Sequence, residues 1–373
     1  MRRKLYSHAI LLFLLPLLPL PLAAQAMTEK PPLVPGARAV TVQHIKIHSQ
    51  AIAGNLEGEA VNRDAIVFLP PGYFKHPQRR YPVVYALHGF SIGAEQWTHE
   101  IRVPQTIEGA FAQGSREMIV VLPDSKTVYG GSMYSSSETT GDFERFIDHD
   151  VVHYMDTHYR TIPQRRARGL VGHSMGGYGA LRIGMQHPRV FGSLYIMSAC
   201  CLSPMGGQRP ANPAMAKGMA AMQKSLAAKL ASARSPAAAA RANNSFFAHA
   251  LLASAAAWSP DPQRPPLYFD LPWTKTGAPR PDILAKWAAN APLAMIDQYI
   301  DNLRRYRAIA LDAGDQDGLR FDMIRLHRIL SSYGVKNSLR IYHGTHTSHV
   351  AFRFQNHVLP FFSRHLCFST PCR

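Results

Sequence analysis

Acidic side chains are scarce in this chain. Its 373 residues carry 24 Asp and Glu against 41 Lys and Arg, a formal net charge of +17. That excess raises the question of a nucleic-acid partner, yet no run of five basic residues occurs. The cations come in pairs such as Arg79-Arg80, Arg165-Arg166 and Arg304-Arg305. Nucleic-acid binders concentrate charge along one stripe and interleave aromatics with it. The charge here reads as a dispersed basic surface with no nucleic-acid partner. Past residue 26, no stretch is long and apolar enough to span a bilayer, so no membrane span is expected. There is also no internal repeat, which excludes a solenoid or propeller. Cysteine is nearly missing, with four residues in all.

What is present begins with a targeting pattern. Arg2, Arg3 and Lys4 supply charge, residues 9–22 supply a short apolar run, and Ala24-Gln25-Ala26 is a small-x-small site. Residues 1–26 read as a signal peptide cut after Ala26. No cysteine follows the cut, so a lipid anchor is not expected. The remaining residues, 27–373, then work in the periplasm or outside the cell. In such an oxidising compartment Cys367 and Cys372, five positions apart, can close a small disulfide loop. Cys200 and Cys201 end an apolar run and read as buried thiols.

Strand and helix patterns alternate along the chain. Apolar runs mark strands at Val40–Ile47, Ile66–Leu69, Pro82–Leu87, Met118–Leu122, Leu170–Val171, Leu194–Met197, Arg307–Leu311 and Leu339–Tyr342. Helical spacing joins Phe143, Phe146, Ile147, Val151 and Met155, and recurs over Phe321–Leu330. A closing helix over Val350–His365 is expected to bend at Pro360. The central strands are apolar throughout, which implies an α/β fold with a mostly parallel sheet covered by helices on both faces. The alternation breaks at about 204–300. From 211 to 260, 20 of 50 residues are alanine, a composition that favours helix. This segment reads as a helical, cap-like insertion.

The chemistry concentrates around "RGLVGHSMGGYGAL". A short strand runs directly into a helix, and Gly172-His173-Ser174-Met175-Gly176 forms a G-x-S-x-G elbow at the corner. Glycines two before and two after the serine remove side chains that would collide there. A serine hydroxyl needs a base before it attacks, and in this architecture the acid and then the histidine follow on loops after later strands. Both loops exist. "DAGDQDG" offers Asp312, Asp315 and Asp317; "HGTHTSH" offers His343, His346 and His349. Two backbone N–H groups must hold the developing oxyanion. Met175, next to the serine, supplies one, and Phe90, after the "PVVYAL" strand and His88-Gly89, supplies the other. The same histidines, with His357, raise a metal alternative. Spacing of three in a loop does not enforce a tetrahedral site, so no metal and no cofactor is expected.

These motifs resemble the esterase D-like family of α/β-hydrolases, which includes feruloyl esterases, S-formylglutathione hydrolases and mycolyltransferases. "YPVVYALHGF" is similar to its oxyanion segment and "YGGSMYSSSETTGDFERFIDHDVVHYMDTHYRT" to its long middle motif. The resemblance implies Ser174 as nucleophile. It selects Asp317 through a G-x-x-D loop and His346 through a G-x-H loop. It also implies that Tyr129 and Tyr134, in "YGGSMY", line the substrate cleft, while the two adjacent glycines suit a structural turn equally. The implied activity is a serine carboxylic-ester hydrolase that forms an acyl-enzyme on small-molecule or glycan-linked esters. The alternatives are an acyltransferase using the same triad and an S-formylglutathione hydrolase-like thioesterase. Oligomeric state is not encoded in these patterns.

Overall fold

Three strands of this protein, Val83–Leu87, Ile119–Pro123 and Ser193–Met197, are buried on every residue, and a fourth, Arg168–His173, is buried apart from its first position. Strands of that kind need cover on both faces. The computed structural model, which describes residues 28–204, 221, 224–243 and 245–372, supplies it. The expected signal peptide and part of the alanine-rich segment lie outside the described residues.

Eight strands make one sheet: β1 (Thr41–His48), β2 (Asn62–Leu69), β3 (Val83–Leu87), β4 (Ile119–Pro123), β5 (Arg168–His173), β6 (Ser193–Met197), β7 (Ala308–Gly314) and β8 (Ser338–Tyr342). Their spatial order is β1-β2-β4-β3-β5-β6-β7-β8. β2 runs antiparallel to both β1 and β4. The pairs from β4 through β8 are all parallel.

The pleat sorts side chains between two cores. Val83, Tyr85 and Leu87 of β3 enter one core. There they join α3 (Val152–His158), α4 (Met175–Gln186) and α8 (Arg320–Ser332). Val84 and Ala86 enter the opposite core with α1 (Ala94–Glu100), α2 (Val103–Ala112) and α9 (Leu359–His365). The segment between β6 and β7 carries α5 (Pro236–Arg241), α6 (Phe246–Trp258) and α7 (Pro281–Ala289), with turns and isolated bridges over 259–280. It is fastened to the body. The Trp258 indole donates to Ser135 Oγ at 3.2 Å, Ser137 Oγ donates to the Ala256 carbonyl at 2.6 Å, and Tyr178 Oη donates to the Asn290 carbonyl at 2.8 Å.

Two local details differ from expectation. The closing helix is interrupted by a π-turn at Phe354–Val358, which ends two residues before Pro360 in the first turn of α9. Proline cannot donate to the carbonyl four residues back, so the widened turn ahead of it takes up the irregularity. Cys200 and Cys201 are free thiols and only partly buried, with their sulfurs 2.8 Å apart. Contact with Cys201, together with burial, holds the Cys200 thiol well above its ordinary pKa, so it stays protonated. Cys367 and Cys372 are bridged, with a Cα–Cα distance of 5.7 Å.

Candidate active site

β5 passes into α4 through a single residue, Ser174. Its backbone sits at φ 59°, ψ −115°, a region that costs a residue with a side chain about 1–3 kcal/mol. The surroundings hold it there. The Ser174 amide donates to the Met197 carbonyl at 3.0 Å, and its carbonyl accepts from the amides of Tyr178 at 3.0 Å and Cys200 at 3.1 Å. The flanking glycines are explained by close approach. A Cβ on Gly172 would stand 2.0 Å from the Gly176 carbonyl oxygen, and one on Gly176 would stand 2.1 Å from the Leu87 carbonyl oxygen. Both are inside contact distance with rigid backbone.

The loops after β7 and β8 meet beside Ser174. They can touch because Gly314 has no side chain; a Cβ there would lie 2.1 Å from the Gly344 carbonyl oxygen. His346 Nε2 lies 2.9 Å from Ser174 Oγ, and His346 Nδ1 lies 2.8 Å from Asp317 Oδ2. The other carboxylate oxygen, Oδ1, accepts from the Leu319 amide at 2.9 Å. Asp317 is 4% exposed. Burial alone would favour its neutral form. The hydrogen bond and charge of His346, the Leu319 amide and the Ser198 hydroxyl outweigh that and hold its pKa below the ordinary carboxylate value. An ionised Asp317 accepts only, so His346 Nδ1 carries a proton toward it and Nε2 is left to accept from Ser174.

The remaining candidates go elsewhere. Asp312 is fully buried, where it pairs with the guanidinium of Arg353 and accepts from Tyr195 Oη at 2.9 Å. Asp315 is exposed and braces its own loop, accepting from His343 Nδ1 and the Gly344 amide, each at 3.0 Å. His343 is exposed at the rim, His349 pairs with Glu29 at 3.1 Å, and His357 packs beside Phe352. Among the described residues no group of three or more His, Cys, Asp or Glu is placed to hold a metal ion.

The segment expected to supply the second oxyanion donor borders the serine. A Cβ on Gly89 would lie 3.7 Å from Ser174 Cβ. Met175 occupies the first position of α4, where a helix N–H has no partner within its own helix. Three buried residues fix these parts, two of them absent from the sequence-based candidates. His88 Nδ1 donates to the Gly89 carbonyl at 2.9 Å while its Nε2 accepts from the Ser125 amide at 2.9 Å. Burial holds His88 below its ordinary pKa, so it stays neutral as that pattern requires. His173, the variable residue before the serine, donates from Nε2 to the His346 carbonyl at 2.9 Å. Burial, then the nearby His346 and Arg353, push His173 well below its ordinary pKa, which keeps a second positive charge away from His346.

Tyr134 is the third of these, and its place corrects an expectation. Both Tyr129 and Tyr134 are fully buried, so neither lines an open cleft. Tyr134 Oη donates to the His88 carbonyl at 3.1 Å, and Tyr129 packs edge-on against Phe269 with ring centroids 5.8 Å apart. Tyr134 thus supports the oxyanion segment from behind.

Comparison with known proteins decides the family. Residues 60–355 match the Esterase family, described as "Putative esterase". The chain belongs to this family of esterases. Two curated relatives are similar over part of its length. One is an uncharacterised protein of Corynebacterium glutamicum, 26% identical over 132 residues, which are 35% of this chain and 31% of that one. The other is an endo-1,4-beta-xylanase/feruloyl esterase of Xylanibacter ruminicola, 27% identical over 144 residues, 38% of this chain and 20% of that one. The esterase therefore spans under a third of the length of these relatives. Solved structures agree over much more of the fold. A ferulic acid esterase superposes with a TM-score of 0.58 at 21% identity, covering 88% of this chain and 99% of the other. An S-formylglutathione hydrolase of Staphylococcus aureus gives 0.53 at 13%, covering 88% and 99%. A ferulic acid esterase of Anaeromyces mucronatus in complex with ferulic acid gives 0.52 at 17%, covering 91% and 96%. The esterase has the α/β-hydrolase fold.

Proposed function

We propose that this esterase is an exported serine hydrolase that cleaves carboxylic esters through an acyl-enzyme on Ser174, with no metal or organic cofactor. The observation that carries the reading is the continuous chain from Asp317 through His346 to Ser174, at 2.8 and 2.9 Å. In the first half-reaction Ser174 Oγ attacks the ester carbonyl carbon while its proton passes to His346 Nε2. Asp317 holds the imidazole in the productive tautomer and stabilises its charged form. The amides of Phe90 and Met175 take the negative charge on the carbonyl oxygen; losing one such donor costs about 3 to 4 kcal/mol. The alkoxide then leaves with the proton from His346. In the second half-reaction water gives its proton to His346 and attacks the acyl carbon, which returns Ser174 and releases the acid.

Water access favours hydrolysis over transfer to an alcohol. The His346 side chain is 33% exposed, so solvent can approach the imidazole. The N-terminal targeting pattern supports export, and no helix among the described residues is long and apolar enough to cross a membrane. Small-molecule or glycan-linked esters are the substrates this reading implies, and the feruloyl ester activity named for one relative is consistent with them.

The test uses purified protein beginning at Met27 and p-nitrophenyl acetate, with a chelator present. Turnover should persist in the chelator and fall at least about 10³-fold in Ser174→Ala. Wild-type turnover in Ser174→Ala, or loss to the chelator with recovery on adding zinc, refutes the proposal.

A further inference from the structure

Residues that precede the first strand of a domain are usually loose unless something ties them down. Residues 28–40 contain no helix or strand, yet they are fastened at three stations. Next to β1, the Val40 amide donates to Glu108 Oε1 at 3.0 Å. One turn away on α2, Gln105 Nε2 donates to the Pro31 carbonyl at 2.8 Å. The third station is the loop after β8. There the Glu29 amide donates to the Ser348 carbonyl at 2.6 Å, Thr28 Oγ1 accepts from the Ala351 amide at 3.1 Å, and the Glu29 carboxylate pairs with His349. The segment therefore runs from the antiparallel edge of the sheet, across α2, to the loop that carries His346. Pro31, Pro32 and Pro35 fix φ along it, which lowers the entropy lost when it is ordered.

The first half of the His346 loop is held by its neighbours in the sheet. The Gln316 amide donates to the Gly344 carbonyl at 2.9 Å, and His173 Nε2 donates to the His346 carbonyl at 2.9 Å. The second half is held by residues 28 and 29. A short helical turn, Val350–Arg353, follows the loop, and its N-cap residue His349 makes no side-chain capping bond. The first amides of a helix have no partner within it. Thr28 Oγ1 takes the Ala351 amide, the part an N-cap hydroxyl plays, from 323 positions away in sequence. Thr28 and Ser348 are half-buried. Water can replace their hydrogen bonds in energy, since a net intramolecular bond is worth little more than one to solvent. Water cannot replace them as a fixed point. Losing these contacts should therefore show in rate more than in stability.

We propose that residues 28–35 are a strap that positions His346, with Thr28 and Glu29 as its positioning residues. The proposal rests on the reading of His346 as the base. His346 Nε2 must stay within reach of Ser174 Oγ, 2.9 Å away, while it takes a proton and gives it back. Ser348 transmits the restraint. Its carbonyl is held by Glu29, and its Oγ accepts from the Thr345 amide at 2.9 Å. His346 lies between Thr345 and Ser348, so movement at Ser348 shifts both sides of the imidazole. A misplacement of about 1 Å can cost on the order of 10²-fold in rate. Thr28 and Glu29 act through the loop, so substrate binding should be spared and the chemical step should carry the loss.

The experiment compares three proteins beginning at Met27 on p-nitrophenyl acetate. Thr28→Val/Glu29→Pro removes the hydroxyl and the amide that hold the loop. Thr28→Ser/Glu29→Gln keeps both. The third is wild type. Active sites are counted by endpoint labelling with a fluorophosphonate, so kcat refers to folded enzyme alone. The Val/Pro variant should lose about tenfold or more in kcat, with KM within about twofold of wild type, the pattern of an interaction that serves the chemical step. The Ser/Gln variant should keep kcat within about threefold of wild type, because its strap bonds survive. A Val/Pro enzyme with wild-type kcat overturns the proposal. So does a loss confined to KM, or a Ser/Gln enzyme as impaired as Val/Pro. Should Val/Pro not fold, Gln105→Ala decides, since it frees the Pro31 carbonyl and leaves residues 28–35 unaltered. A fall in kcat at constant KM supports the strap there, and wild-type kcat overturns it. His346→Ala is measured alongside. Full turnover in that variant removes the base itself, an outcome distinct from a strap variant that keeps its kcat.

Discussion

Replacing Asp317 by asparagine should disable the enzyme through a tautomer, while the same change at Asp315 should not. Asp317 Oδ1 accepts from the Leu319 amide at 2.9 Å, and Oδ2 faces His346 Nδ1 at 2.8 Å. An asparagine has one acceptor oxygen. If that oxygen keeps the Leu319 amide, the NH₂ group points at Nδ1 and forces it to accept. The ring proton then moves to Nε2 and is aimed at Ser174, so the base is lost. If the amide flips, its NH₂ opposes the Leu319 N–H at the same distance, and a residue 4% exposed has no water to relieve the clash. In the serine-protease template this change costs about 10⁴ in kcat, or about 5.4 kcal/mol of barrier. Asp315 is exposed and bonds His343 and the Gly344 amide, neither of which reaches Ser174. Asparagine can keep the Gly344 bond, so Asp315→Asn should stay within about fivefold of wild type, a loss of under about 1 kcal/mol. Steady-state hydrolysis of p-nitrophenyl acetate reads both. An Asp317→Asn enzyme within tenfold of wild type, or an Asp315→Asn enzyme as impaired as Asp317→Asn is expected to be, refutes the assignment.

Two further predictions concern stability. Arg353→Leu leaves the Asp312 carboxylate fully buried with only Tyr195 Oη among its side-chain donors. Removing one partner of a buried pair costs about 3–5 kcal/mol, so the urea midpoint should fall clearly; an unchanged midpoint contradicts the buried pairing. His187 is pushed up to about 10 by its hydrogen bonds to Asp148 and Glu144. A raised folded pKa contributes stability that is full below the unfolded value near 6.5 and is lost as pH rises toward about 10. His187→Gln should therefore lower Tm most at pH 6 and hardly at all above pH 10, whereas a difference that grows with pH reverses the sign and rejects the argument.

How much of this was legible in the sequence depends on whether a feature is local. The central parallel strands were readable because full burial makes apolar runs. "PVVYAL" covers β3 with one extra residue, and Leu194–Met197 falls one residue inside β6. The first half of β2 was missed because Asn62, Arg63 and Asp64 are polar, and these residues pair with β1 at the sheet's antiparallel edge. Ser174 was readable because an elbow leaves its glycines in sequence. The choice among three aspartates was not a local matter. It depends on which carboxylate the loop after β8 meets, and only the resemblance singled out Asp317. The supporting residues were invisible for a similar reason. His88 and His173 act by bonding backbone groups of distant segments, and nothing in their own neighbourhood signals that. Tyr129 and Tyr134 were misplaced because an aromatic beside paired glycines suits a cleft and a packed turn equally. Burial decided between them.

The most direct measurement is peptide mass spectrometry of the protein after treatment with a fluorophosphonate, which phosphonylates a serine only when a base and an oxyanion site have activated it. The account predicts a single adduct on Ser174, loss of ester hydrolysis in step with labelling, and no adduct in His346→Ala. An adduct on another residue, or full ester hydrolysis with Ser174 quantitatively labelled, contradicts it.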